Sequence, residues 1–600
     1  MVMKTNKKKS HNNSTKSYTW NLGLLYSSSN DPKIERDVCV IEKSLNQFAK
    51  TYDTPNKKYL NNEDSLLSVL KDYEKMLGSM DSKPLYYFQY LSDLEADNPI
   101  APKQISLMDN RLTKAHNDIT FFVISLGTIP ASKQKLFLAS PKLKDFKVFL
   151  QRIFDDAKHW LSTPEEKIIN LKGRPAHDMW IEGNEMILNI RSILWKGKKM
   201  PLSAAISTVA LLPKALDRKK ISALIATELK AVAPFSQWEI NALVTNKKIN
   251  DQLRGHASPH ENTVRMYRND PVVINNLVKT VTKHFNIAHR FYALKAKLMK
   301  QKKLAYYDRG ARIGQLEKSY SFEKTINILK KTFGKLNPSY AEWIDVYTKN
   351  RQIDVFPRIG KTGGAYCSGS YRLPTFILLN HVNDIRSFTT SAHELGHAFH
   401  AELSRSQRRL YFQHSTSLAE TASTLFEAIA LETVSKEFSA KEKIYLLHNK
   451  ISDDISTIFR QIACFNFEHD IHKEIKSKGF LSKEELADLH NKNMQAYLGP
   501  LFKLERDDGF FFVQWSHIRR FFYVYTYAYG SLVSKALLRR YRQDPAFWKN
   551  IEKLLSAGGS ASPEDILKSI GINVSKPEFW RESLKEIEND INELERLIKY

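Results

Sequence analysis

Along most of its length this chain repeats apolar positions every three to four residues, the spacing of helices with one buried face. Only 22 Gly and 21 Pro punctuate 600 residues, so the expected class is mainly α. From about Asp31 to Leu150 amphipathic stretches follow one another, broken at Pro55, Pro84, Pro99 and Pro130; a helical subdomain containing Trp160, Trp180 and Trp195 continues to about Leu202. Pro201, Pro213 and Pro234 then mark the passage onward, which sets a boundary near 200 between a helical N-terminal domain, 20–200, and a second domain, 201–600.

Four later stretches carry the sharpest patterns. In the first, Phe388, Ala392, Leu395, Phe399 and Leu403 gather on one side of a helix while His393 and His397 share a stripe nearly opposite. In the second, Ser417 to Glu432, Leu418, Ala422, Leu425 and Ile429 form the apolar face, and Glu420, Ser423, Thr424 and Glu427 the polar one. The run Thr375-Phe-Ile-Leu-Leu-Asn380 reads as a strand, preceded by four glycines between Gly360 and Gly369. Backbone so rich in glycine can approach a ligand closely, and neither phosphate-binding glycine pattern is present. A substrate-facing loop with an edge strand, open to main-chain hydrogen bonds from an extended peptide, is therefore expected there. Lastly, Trp515 to Gly530 reads as one helix, with Tyr523 and Tyr527 on one side, Tyr525 and Tyr529 on another, and one of these stripes packed.

Composition narrows the picture. A hydrophobic content of 42% is ample for a core. Cys39, Cys367 and Cys464 are odd in number and far apart, which supports neither a disulfide framework nor a thiolate metal site and fits the cytoplasm; Cys367 reads as a small filler. The first nineteen residues form a basic tail expected to be disordered, no apolar signal region follows it, and no window approaches a membrane span. The net charge of +26 invites a nucleic-acid reading, especially where Lys283, Arg290, Lys295, Lys297, Lys300, Lys302 and Lys303 crowd together. These cations interleave with Phe285, Ile287, Phe291, Leu294 and Leu298, the pattern of a helix with a buried side and a basic exterior, so no nucleic-acid partner is expected.

The chemistry lies in His393-Glu-Leu-Gly-His397. Two neutral imidazoles one turn apart can share a zinc ion at about 2.0–2.1 Å each, and Glu394 can serve as general base toward a water at that ion. Thr389 and Thr390 offer N-caps for this helix. A catalytic ion needs a third protein ligand. His400 fails, because seven positions from His393 amount to about 10.5 Å of rise. The longer pattern that continues through Gly to a third His is absent, since positions 400 and 403 are His and Leu. The Ser417–Glu432 helix remains, with Glu420 and Glu427 both eligible on its polar face. His517 and the tyrosines near it are potential donors to a developing oxyanion, although an aromatic-rich helix ordinarily serves the core.

Several motifs together resemble the oligoendopeptidase F branch of the thimet-oligopeptidase-like zinc metallopeptidases. They are Gly360-Lys-Thr-Gly-Gly-Ala-Tyr-Cys-Ser-Gly369, His393-Glu-Leu-Gly-His-Ala-Phe-His400, Ala419-Glu-Thr-Ala-Ser423, and His517 followed by Tyr523-Val-Tyr-Thr-Tyr-Ala-Tyr-Gly530. Trp20-Asn-Leu, Ala293 to Met299 with Tyr307-Asp308, and Pro577-Glu-Phe-Trp580 extend the likeness over nearly the whole chain. The resemblance implies a large helical zincin-type molecule of the gluzincin class, with a deep substrate channel and a small β-sheet near the active-site helix. It also implies one Zn2+ per chain and endopeptidase action on short unstructured oligopeptides. Carried over by position, His393, His397 and Glu420 are the metal ligands and Glu394 the base. His517 with a tyrosine, Tyr523 first and Tyr527 second, stabilises the oxyanion, and Glu427 orients a ligand histidine. The competing expectations are an exopeptidase on the same scaffold and a basic helical binding module whose metal site is structural.

Overall fold

In this computed structural model residues 18–80, 82–314, 316 and 318–599 are described. Most of them are helical, and the sheet content is three small pieces: a hairpin of β1 (Ser192–Trp195) and β2 (Lys198–Pro201), a parallel pair of β3 (Leu304–Ala305) and β7 (Phe502–Lys503), and a three-stranded sheet of β4 (Ile353–Asp354), β5 (Tyr366–Ser368) and β6 (Phe376–Leu378). The hairpin corrects the helical reading of the stretch before Leu202. Its two-residue turn, Lys196-Gly197, has φ of 50° and 77°, the conformation that matches the twist of paired strands.

Three apolar cores organise the described residues. The largest gathers buried residues from Ile193 to Leu594, a second is built from Ile41 to Phe154, and a third joins Trp20, Tyr87, Phe88 and Met108 to Leu373, Phe376 and Leu378. Of the basic tail, positions 1–17 lie outside the described residues; Tyr18 packs edge-on against Phe322 and Phe356. Trp20 is buried on the three-stranded sheet, its indole N–H donating to the Ile377 carbonyl at 2.8 Å and its backbone N–H to Asp354 Oδ2 at 3.2 Å.

In that sheet the order is β4-β6-β5, with β4 and β6 parallel and β5 antiparallel to β6. The apolar run at 375–380 is thus the central strand, all three β6 residues being buried as expected of a strand covered on both faces. The glycine-rich stretch itself supplies the edge strand, β5. It is anchored by Lys361, whose ammonium lies 2.7 Å from Asp354 Oδ1 with both side chains fully buried.

The basic segment forms the helix Phe285–Leu298, with Phe285, Ile287, Phe291 and Leu294 buried as its spacing predicts. Lys295 is the exception: it is fully buried, donates to the Arg309 carbonyl at 2.7 Å, and burial pulls its amine down to about 7. One cation of the expected basic exterior therefore belongs to the core. Among the described residues, no helix is long and apolar enough to cross a membrane.

Candidate metal centre

Two helices build the centre. The first, Ile385–Ser404, carries both histidines and is capped by Asp384, whose side chain accepts from the Ser387 N–H. Thr389 and Thr390 are inside the helix rather than at its cap, and the Thr389 hydroxyl bonds back to the Arg386 carbonyl. Phe388, Ala392, Leu395 and Phe399 are buried, so the imidazoles emerge from the opposite stripe. The second helix, Thr416–Ser435, capped by Ser415, follows a short return through residues 405–415. Where the two cross, a Cβ on Gly396 would stand 2.7 Å from Ser423 Cα and 3.0 Å from the Ala422 carbonyl. Only a residue without a side chain allows this approach, which brings Glu420 up to the histidines.

His393, His397 and Glu420 each offer a ligand atom, and the three atoms lie within 4.8 Å of one another, a set able to hold a divalent metal ion. Glu420 Oε2 is 3.3 Å from His393 Nε2, 3.5 Å from His397 Nε2 and 2.8 Å from the Ser423 hydroxyl that donates to it. Glu427 takes a different position: its Oε2 faces His393 Nδ1 at 3.1 Å. Glu394 is buried, and its Oε2 has no protein partner. His400 points elsewhere, stacked on the His414 ring at 3.8 Å.

Electrostatics follow the burial. Burial alone would depress His393, but its bonds to Glu420 and Glu427 override this and raise it to about 10. His397, with less compensation for burial, falls to about 4. Glu420 is held down at about 2 by the histidines despite burial, whereas burial pushes Glu394 up to about 7.

The oxyanion candidates also come together, by a different backbone from the one expected. Trp515–Gly530 is not one helix. A short 3-10 segment, Ser516–Arg519, carries His517; a turn follows in which Phe521 and Phe522 have φ of 45° and 64°; the helix Tyr525–Gln543 then begins. This turn brings the His517 ring against Tyr523, stacked at 5.4 Å, and near Tyr527 at 6.0 Å. The Tyr523 and Tyr527 hydroxyls are 3.4 Å apart, while Tyr525 and Tyr529 form the packed stripe. His517 Nδ1 is buried without a partner, and burial, with Arg460 and Arg520 nearby, lowers the ring to about 4. Gly530 lets this helix approach the second one, since a Cβ there would lie 3.3 Å from Glu420 Cβ.

Several supporting residues escaped the sequence reading. Arg519, buried, forks onto Glu239 at 2.6 and 2.7 Å and donates to the Trp515 and Val513 carbonyls, which fixes the 3-10 segment. Glu468 Oε2 accepts the Phe522 N–H at 2.6 Å, and Thr263 donates to the Phe521 carbonyl at 2.8 Å. Asp453 lies in the field of Glu427 and is raised, chiefly by burial, to about 6. Arg460 stands over the Trp515 ring at 4.7 Å. Asp453 lies just before, and Arg460 at the end of, a π-helical turn, Ile455–Arg460, that interrupts an otherwise continuous helix. Such insertions leave no mark on a 3.6-residue pattern.

A mainly helical scaffold that brings two histidines and a glutamate together in this way fits the class of metal-dependent hydrolases. The chain belongs to peptidase family M3, whose model matches residues 219–586, and the model named Oligopeptidase F matches residues 126–183. It is 27% identical over 590 residues to an oligoendopeptidase F homolog of Borreliella burgdorferi, covering 96% of each chain. It is 26% identical over 564 residues to oligopeptidase PepF of Bacillus subtilis, covering 90% of this chain and 82% of the relative. Among solved structures, a Chlamydophila abortus protein superposes with a TM-score of 0.82 at 22% identity, covering 97% of this chain and 98% of that one. Oligoendopeptidase F of Enterococcus faecium superposes with a TM-score of 0.71 at 18% identity, covering 94% and 99%. The resemblance read from the motifs is thus borne out: the protein is a peptidase of mainly helical M3 fold.

Proposed function

We propose that this protein is a cytoplasmic zinc metalloendopeptidase of the gluzincin type, with one catalytic zinc per chain, cutting internal bonds of short unstructured oligopeptides. One observation carries the reading: ligand atoms of His393, His397 and Glu420 converge within 4.8 Å beside the unpartnered carboxylate oxygen of Glu394. The donor set fits zinc, since two imidazoles and one carboxylate leave a fourth position free. Glu427 at His393 Nδ1 adds the outer bond that fixes a ligand imidazole. When bound, the ion supplies Lewis acidity toward the scissile carbonyl and the attacking water. Glu394 takes the proton from that water and delivers it to the leaving amine. His517 acts as a neutral N–H donor and, with the Tyr523 hydroxyl, bonds the carbonyl oxygen as negative charge develops; Tyr527 orients Tyr523. The edge strand β5 supports main-chain pairing with an extended substrate. Relatives named oligoendopeptidase favour internal cleavage.

The test pairs Glu394→Gln with zinc analysis and a quenched peptide blocked at both ends. Internal cleavage by the wild type, with zinc retained and turnover nearly lost in the variant, is the expected result. Comparable hydrolysis by the variant would remove Glu394 as base. Cleavage only of peptides with a free end would indicate an exopeptidase, and bound metal without any cleavage a binding module.

A further inference from the structure

A second meeting of metal-binding side chains lies apart from the two helices of the centre. There the chain leaving the helix Lys147–Ala157 meets the end of the long helix Ala215–Leu253. His159, His256 and Glu261 each bring a ligand atom to within 4.8 Å of the others. Proximity alone is common among polar groups, but two further features distinguish these three.

The first is the tautomer of His159. Its Nδ1 is 2.9 Å from the Arg254 carbonyl oxygen, which can only accept, so Nδ1 carries the proton and Nε2 keeps a lone pair. A ring N–H turned onto a carbonyl is the arrangement that orients metal-binding histidines. The second is His256, whose two ring nitrogens are both shielded from solvent and have no protein partner. Leaving such groups unpaired is costly, and a cation ligated by one of them would relieve it.

Glu261 supplies the negative charge. Its Oε2 accepts the Ala257 N–H at 2.8 Å and its Oε1 accepts from Arg265 at 2.8 Å; each oxygen retains a lone pair. The cations nearby are already engaged. Arg254 forks onto Glu166 at 2.6 and 2.7 Å, Lys247 is 2.8 Å from Asp251, and Arg265 is on Glu261 itself. The imidazoles lie nearly parallel at 4.5 Å, an arrangement stabilised by no charge or hydrogen bond between them.

We propose that His159, His256 and Glu261 form a second, non-catalytic zinc site that clips the segment following the Ile41–Phe154 core to the end of the long helix. Two imidazoles and a carboxylate suit zinc, with water completing four ligands. The clip adds a cross-link between segments 97 residues apart in sequence, beside the ion pairs Arg254–Glu166 and Arg268–Asp156 that already join them.

The test counts zinc by elemental analysis on the purified full chain after equilibration with zinc, for the wild type, His256→Gln and His159→Gln, with circular dichroism to verify folding. The wild type should hold one zinc per chain more than either variant, and the double variant His393→Ala/His397→Ala should keep that ion. Both single variants should retain peptide hydrolysis and melt at a lower temperature than the wild type in zinc but not in chelator. Equal zinc counts in the wild type and the folded variants would overturn the proposal. If His256→Gln does not fold, His159→Gln and Glu261→Gln decide by the same count. Because the result is a difference between chains, it stands whether or not the first centre holds zinc.

Discussion

Glu420 and Glu427 sit two turns apart on one helix face, yet each meets a different atom of the histidines. Glu420 approaches the Nε2 atoms of both rings, and Glu427 approaches only Nδ1 of His393. Glu420→Ala should therefore lose bound metal and activity together. Glu427→Ala should keep more of the metal and lose activity by roughly 10- to 100-fold, as outer partners of ligand histidines do. Metal analysis of the two purified variants checks this, and full zinc in Glu420→Ala with an empty centre in Glu427→Ala would exchange the two roles. Spacing alone left both glutamates eligible as the third ligand, because helical periodicity says which face a residue occupies and nothing about what faces it. The converse holds for Lys295, which the same periodicity assigned to the solvent side and which tertiary packing encloses.

The elements divide into those with a sequence signature and those without one. The helices Ile385–Ser404 and Thr416–Ser435 were legible because their apolar stripes are long and regular. Gly396 was not legible as a crossing point, since its role exists only once the partner helix is in place. Gly396→Ala should push that crossing apart, costing about 1–3 kcal/mol as overpacking does and lowering metal affinity along with the melting temperature. A variant with unchanged melting and full metal would show that the crossing tolerates a side chain. The turn before the tyrosine helix was illegible for another reason: two consecutive phenylalanines at positive φ contradict the preference of bulky residues. Glu468 restrains this turn from the neighbouring helix, and burial pushes its carboxyl up to about 8. The unfolded chain has an ordinary carboxylate near 4.3, so the folded state binds the proton more tightly. This contribution to stability is complete below about pH 4 and is lost as pH rises through about 8. Glu468→Gln, which cannot ionise, should melt with a flatter dependence between pH 5 and 8 than the wild type. Parallel slopes for the two proteins in denaturant titrations at those pH values would refute it.

For the molecule as a whole, the side chains of His393 and His397 are only about a quarter exposed, 26% and 23%, and lie between helices of the largest core. A peptide must enter as an extended strand to reach them, so short peptides should be cut while a native globular protein of similar sequence survives; mass spectrometry of both digests distinguishes the cases. Rapid internal cuts in the native protein would defeat the expectation. The main helical class and the residues that converge at the candidate centre were visible in local patterns. The stitching of Trp20 onto the central strand was not, because nothing near Trp20 names Ile377 as its partner. That stitch has a consequence for how the protein is made. The two residues are 357 positions apart, and at about 5–20 residues per second a ribosome needs roughly 20–70 s to travel between them. Throughout that interval the indole has no strand to rest on, and Tyr87, Phe88 and Met108, which share its core, lack Leu373, Phe376 and Leu378 as well. The nascent chain thus carries an unfinished apolar surface through most of its synthesis, which makes this cluster a natural place for a chaperone to hold it.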